Sequence, residues 1–368
     1  MKPPSRSRYG FIDAIRGIAA CAVMLQHSLY ESGLLGGPAS AHLTGFIPNW
    51  LELGETGVVA FFIVSGFVIP LSLEKTANFK LFWIHRALRI YPLYIVTFAV
   101  TFLMERGGDI QSVAAFCANA LAHLFFVQEY LKQQNFVGGS WTLSLEMIWY
   151  IAISILAVLS LNKKTVSLVV AGLLLSFLAD AACASGHHLP MGRLSMLLCC
   201  VLGLVFYRRD AGHLSGRSFT CLSFALVAAI ALNLFLGFGL FPGSHPTATF
   251  RTVACSWSLA AFVFIMPFLT RRATIWSHPA FGFLGRHSYS IYLLHPIVLF
   301  MLTSGHVAGA FLIAVTFVVT IAVATLTYRF IEAPPIRVGH RLRPKPQPFA
   351  GPLAEGDVAA VRMVTRTP

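Results

Sequence analysis

Residues 54–73 read GETGVVAFFIVSGFVIPLSL, twenty residues with one charged side chain, Glu55. A helix rises about 1.5 Å per residue, so this run extends roughly 30 Å. That is the thickness of a bilayer's hydrocarbon core. Comparable runs recur at about 11–30, 88–105, 142–160, 165–184, 191–207, 218–240, 249–269, 288–304 and 307–330. Of the 368 residues, 57% are hydrophobic and 11% charged, against roughly 25% charged in a soluble domain. Most of this chain therefore has no water to face. The expected fold is all-α: a polytopic transmembrane helix bundle of about ten spans. Segment 111–131 is less hydrophobic, contains Asn119, His123 and Gln128, and reads as re-entrant or interfacial. The expected organisation is one membrane domain over 1–335 and a disordered cytoplasmic tail over 336–368. The tail includes the polar, Pro-rich stretch RLRPKPQP at 341–348.

The formal charge of +13 does not point to nucleic acid, because of where the charges lie. With the N-terminus inside, the inner segments hold 22 Lys and Arg residues. The outer ones hold four: Arg106, Lys132, Arg193 and Arg251. Short cytoplasmic loops collect basic residues, so this split favours two cytoplasmic termini and an even number of spans. The N-terminal run lacks a convincing small-residue cleavage site, so the first span is expected to be retained. None of the seven cysteines forms a C-x-x-C pair or a spaced set with histidines. Packing is the expected role for them, and no metal site is expected.

Ionisable side chains inside a membrane cost about 2.5–3.5 kcal/mol each on insertion scales, so each needs a reason. The first span holds Asp13, Arg16 and His27. Eleven steps of ~100° return His27 to within about 20° of the face of Arg16, three turns and roughly 16 Å further along. Asp13 lies one turn below Arg16 and is placed to pair with it. This polar stripe reads either as chemistry or as an interhelical contact that orders packing. Arg86 and Arg89 are one turn apart at the inner edge of the third span, within Phe82–Pro92. A guanidinium pair suits phosphate oxygens, although anchoring at the membrane surface explains it equally well. Trp141 leads a segment reaching Glu146 and Tyr150, which share a helix face. Glu146 reads as a proton relay or as the partner of a buried cation such as Arg16. Tyr292 and His295 fall one turn apart, and Glu332 closes the last span beside Ala333-Pro334-Pro335. Asp180 stands outside these patches and reads as interfacial. Ser65 and Gly66 read as small residues for helix packing.

Taken in order, these patches resemble the acyltransferase-3 family of bacterial membrane O-acyltransferases. The residues carrying the resemblance are Arg16-x10-His27 with Asp13, Phe61-Phe-x-x-Ser65-Gly66-Phe67, Arg86-x-x-Arg89-x-x-Pro92, Trp141-Thr-Leu-x-x-Glu146, Ser288-Tyr-Ser-x-Tyr292-Leu-x-His295 and Phe330-x-Glu332-x-Pro334. They run through nearly the whole membrane region. Thr142 stands where serine is commoner. Some members of the family also carry an attached periplasmic hydrolase-like domain, and none is expected in these residues.

The resemblance implies an enzyme, an acyltransferase, with acyl-CoA (acetyl-CoA foremost) as donor substrate and no bound cofactor. The implied acceptor is a hydroxyl of a surface glycan or lipid-linked oligosaccharide, and the implied location is the bacterial inner membrane, in contact with its lipids. The implied catalytic set is His27, Arg16, Asp13 and Glu146. Histidine suits general-base work near neutrality, and Arg16 would orient the thioester or steady an oxyanion. Arg86 and Arg89 would bind acyl-CoA. Trp141, Tyr150, Tyr292, His295 and Glu332 would support the acceptor or the buried cations. A proton-coupled secondary transporter using the same intramembrane charges is the alternative from another class.

Overall fold

The computed structural model describes residues 9–34, 50–76, 78–105, 112–161, 164–241 and 249–342. Among them the helices run α1 Gly10–Glu31, α2 Leu53–Thr76, α3 Phe79–Met104, α4 Val113–Leu124, α5 Ser140–Val158, α6 Thr165–Ala184 and α7 Met191–Asp210. They continue with α8 Gly216–Phe235, α9 Phe250–Leu269, α10 Pro279–Ser304, α11 Gly309–Thr327 and α12 Ala333–Arg341. A π-helical turn, Leu236–Leu240, follows α8, and another, Tyr328–Glu332, joins α11 to α12. No strand occurs among the described residues. Eight helices are long and apolar enough to cross a membrane. Two more, α1 and α10, have the length at 22 and 26 residues but fall short in apolarity. These two carry Asp13, Arg16 and His27, and Tyr292 and His295. The chain is an all-α, polytopic membrane bundle.

The polar helices lie inside. Helix α1 packs between α10 and α2, and α2 packs in turn against α7 and α9. Tails of lipid offer no hydrophobic drive for helix association, so close backbone approach between small residues takes its place. A Cβ on Gly285 of α10 would lie 2.4 Å from the Asp13 carbonyl oxygen of α1. On Gly66 of α2 it would lie 1.9 Å from the Cys200 carbonyl oxygen of α7. Only glycine permits either crossing.

Two helices start well before their predicted spans. Helix α3 begins at Phe79 and α10 at Pro279, where the hydropathy placed the spans at 88 and 288. The signals are caps. Asn78 Oδ1 accepts from the Leu81 N–H at 3.0 Å, and His278 precedes a proline at the first helical position. As a result Arg86, Arg89 and Ser288 sit within continuous helices and face the bundle.

Helix α4 has 12 residues, about 18 Å, too short to span. Its polar residues hold the chain that follows. Asn119 Nδ2 donates to the Gln134 carbonyl at 2.9 Å, His123 Nε2 lies 3.1 Å from the same oxygen, and Tyr94 Oη lies 2.8 Å from His123 Nδ1. Asp180 is buried beside Asn233; with the Asn233 amide oriented by its hydrogen-bond network, its nitrogen lies 2.7 Å from Asp180 Oδ1, a polar tie between α6 and α8. Helix α12 runs through the expected domain boundary at 335 and packs on α3, with His85 Nε2 2.8 Å from the Gly339 carbonyl. Residues 1–8 and 343–368, which carry several of the charges used to assign topology and most of the expected tail, lie outside the described residues.

Candidate active site

Five helices enclose a cavity of about 150 Å³. Its walls are apolar on the α2 side, with Val58, Phe61, Phe62 and Val64. Its polar groups come from α1 (Arg16), α2 (Ser65), α3 (Arg86, Arg89), α5 (Thr142, Glu146, Tyr150) and α10 (Ser288, Tyr289, Tyr292). The described residues of the whole chain hold no group of three or more His, Cys, Asp or Glu side chains arranged for a metal ion.

The cations in this cavity are held very differently. Arg86 donates to Ser72 Oγ at 2.8 Å and lies over the rings of Phe82 and Tyr150, while its Nε is buried with no hydrogen bond. Arg89 approaches Glu332 at 4.0 Å. Arg16 has neither a hydrogen bond nor an ion pair within 4.0 Å among the described residues, although it lines the cavity. The expected pairing of Asp13 with Arg16 is not formed at that distance. The reason is the α1–α10 crossing, which brings the Asp13 backbone and Cβ against Gly285. Asp13 acts on Arg16 through space only, and Asp13 itself is not part of the cavity wall.

Glu146 is not paired with Arg16 either. Its Oε1 accepts from Tyr150 Oη at 2.5 Å and from Ser65 Oγ at 3.3 Å. The one-turn spacing of Glu146 and Tyr150 thus becomes a direct bond. Ser65 and Gly66, adjacent in sequence, meet different neighbours. Gly66 meets α7, as expected of a packing residue, while Ser65 faces the cavity. The packing interpretation was right for Gly66 and missed Ser65. Neighbours on a helix are turned ~100° from each other, so a packing role for Gly66 does not carry over to Ser65.

Glu332 is fully buried. The π turn places it inward, where Ser290 Oγ donates a short hydrogen bond to its Oε1, while Phe330 in the same turn is 67% exposed. A single π turn of this kind is often found at functional sites, and here it brings Glu332 to the wall of Arg89. Trp141 lies away from the cavity, beneath the Arg193 guanidinium at 5.9 Å. The neighbouring Thr142 takes the cavity position. Its hydroxyl donates to the Gly139 carbonyl at 2.8 Å and lies 3.1 Å from Tyr292 Oη. The threonine thus keeps the hydroxyl that serine would supply.

His27 lies outside the cavity, and the ring is partly open to the surroundings. Eleven helical steps along α1 separate it from Arg16, roughly 16 Å of helix, so no single atom can touch both. Its partner is His295 of α10, with Nδ1 to Nε2 at 2.8 Å. Tyr292 links the two regions, lining the cavity on one side and packing on the His295 ring at 6.1 Å on the other.

No solved structure matches the chain. It is 26% identical over 369 residues to nodulation protein 10 of Rhizobium leguminosarum bv. viciae, covering 89% of this chain and 93% of that protein. It is 28% identical over 158 residues to the acyltransferase MdmB of Streptomyces mycarofaciens, covering 40% of this chain and 39% of that one. A third relative, from Staphylococcus aureus strain COL, is named provisionally as an O-acetyltransferase. It is 24% identical over 365 residues, 88% of this chain and 56% of the relative. Residues 9–329 match the family model described as an acyltransferase domain, so the chain belongs to the acyltransferase-3 family of membrane acyltransferases.

Proposed function

We propose that this protein is a multi-pass inner-membrane O-acyltransferase. It moves a short acyl group, acetyl foremost, from acyl-CoA to a hydroxyl of a surface glycan or its lipid-linked precursor. One observation carries the proposal: three arginines converge on one intramembrane cavity, and one of them, Arg16, has no direct partner of its own among the described residues. A buried cation without a partner is costly. An anionic ligand removes that cost when it binds.

The geometry supports the following roles. Arg86 and Arg89, a turn apart on α3, receive the phosphates of the donor, and Glu332 with Ser290 holds Arg89 in place. Arg16, deeper in the cavity, takes the innermost anionic oxygen of the donor and so keeps its arm and thioester aligned, while Asp13 tempers its charge through space. Glu146, fixed by Tyr150 and Ser65, balances the three cations once the phosphates have left. With ~16 Å of α1 between them, we assign His27 to the acceptor and Arg16 to the alignment of the thioester. His27 takes the proton from the acceptor hydroxyl as its oxygen bonds to the acyl carbon. The carbon–sulfur bond then breaks, and the CoA thiolate receives the proton from His27. Tyr292 stands on the route between the donor cavity and the histidines. Trp141 belongs to the wall near Arg193, apart from the donor.

Mass spectrometry of surface glycans from cells with and without the gene tests the proposal. An acyl-sized mass difference is expected, lost in His27→Ala although the variant inserts and accumulates normally. Unchanged glycan masses on deletion, or full acylation by His27→Ala, would refute it.

A further inference from the structure

The bond between His27 and His295 joins residues 268 positions apart and has a defined direction. The rings make an angle of 28° with centroids 5.0 Å apart, while the nitrogens are 2.8 Å apart. Two rings in that relation meet edge to edge and nearly coplanar. The lone pair of one nitrogen then lies along the N–H of the other. His295 has a second contact, since its Nδ1 is 3.1 Å from the Ile291 carbonyl one turn back on α10.

A carbonyl accepts and never donates, so the His295 Nδ1 that faces it carries the hydrogen. The opposite assignment would set a ring lone pair against a carbonyl lone pair. A doubly protonated His295 would be a charge on a side chain 1% exposed, with no carboxylate in contact among the described residues. Neutral His295 with hydrogen on Nδ1 leaves Nε2 as an acceptor. His27 Nδ1 must then be the donor, and the lone pair of His27 sits on Nε2, on the side away from His295. This tautomer is assigned from the hydrogen-bond network.

We infer that His295 is a positioning residue for the reaction: its Nε2 fixes the tautomer and orientation of His27, so that His27 Nε2 presents its lone pair to the acceptor hydroxyl. The arrangement works as a carboxylate does behind a catalytic histidine, with a backbone carbonyl as the third member of the chain. It lacks the full negative charge of a carboxylate, which suits a site set in lipid. The inference rests on His27 being the base, as proposed above.

Purified enzyme in nanodiscs would be assayed for acyl transfer at varied acyl-CoA, comparing wild type with His295→Gln, His295→Leu and His27→Ala. The glutamine oxygen can stand where Nε2 stood and accept from His27; leucine cannot. We expect His295→Leu to lower kcat about 10²- to 10⁴-fold, the range associated with general-base catalysis. The KM for acyl-CoA should stay within about twofold, and His295→Gln should recover at least tenfold of the lost kcat. Where His295→Leu fails to fold, His295→Gln decides alone: a kcat within about tenfold of wild type supports the inference. Wild-type kcat in His295→Leu overturns it, as does a folded His295→Gln no more active than His27→Ala. If His27→Ala itself is active, the base assignment fails, and with it the premise. If His27→Ala is inactive and His295→Leu keeps wild-type kcat, only the inference fails.

Discussion

Replacing Arg16 with methionine separates a ligand-binding cation from a structural one, because the two have opposite effects on stability. Breaking a buried ion pair leaves its partner uncompensated and costs about 3–5 kcal/mol. Arg16 makes no ion pair or hydrogen bond within reach among the described residues, so its removal orphans nothing. Methionine should relieve part of the ~2.5–3.5 kcal/mol cost of an arginine inside a membrane helix. The apparent unfolding midpoint, followed by tryptophan fluorescence in detergent, should therefore stay or rise. Donor affinity should fall, since a hydrogen bond to a charged group contributes about 1.5–3 kcal/mol. At about 1.4 kcal/mol per decade, the KM for acyl-CoA should rise roughly ten- to more than a hundredfold. Arg16→Lys should recover part of the loss, because it keeps the charge but not the planar fork. A midpoint several degrees lower, with an unchanged donor KM, would refute the reasoning and make Arg16 a packing residue.

Gly66→Ala should destabilise the protein by about 1–3 kcal/mol, because its Cβ would meet the Cys200 carbonyl at 1.9 Å; the yield of folded protein after detergent extraction measures it. Tyr150→Phe removes the 2.5 Å bond to Glu146 and should raise the donor KM while leaving the folded yield within about twofold, as steady-state kinetics would show. Trp141→Ala, away from the donor cavity, should leave the donor KM unchanged within about twofold in the same assay. Asn233→Leu leaves Asp180 without its amide partner. By the measured scale of interhelical hydrogen bonds in membranes it should lower stability by about 0.6–1.7 kcal/mol, read as a lower unfolding midpoint with kcat unaltered.

The hydropathy of this chain made the membrane class and most of its helices legible, because each apolar run is a local property that twenty consecutive residues carry by themselves. The ionisable groups within the apolar runs were legible for the same reason: Asp13, Arg16, His27, Glu146 and Glu332 interrupt apolar sequence at known cost. Periodicity gave the Glu146–Tyr150 contact, one turn within one helix. Sequence also framed the pairing of Asp13 with Arg16, and there it failed. Whether two neighbours on a helix meet depends on what presses against them, and Gly285 draws the Asp13 backbone toward α10. The remainder was a matter of tertiary structure. Five helices had to be rotated before Arg16, Arg86 and Arg89 faced one cavity. A π turn had to shift the phase of α11 before Glu332 reached Arg89. Glycine crossings such as Gly66 on Cys200 and Gly285 on Asp13 had to fix the helix register before His27 found His295. Sequence determines which polar groups enter the membrane. Only packing decides which of them meet, because the contacts between helices are set by side chains hundreds of residues apart.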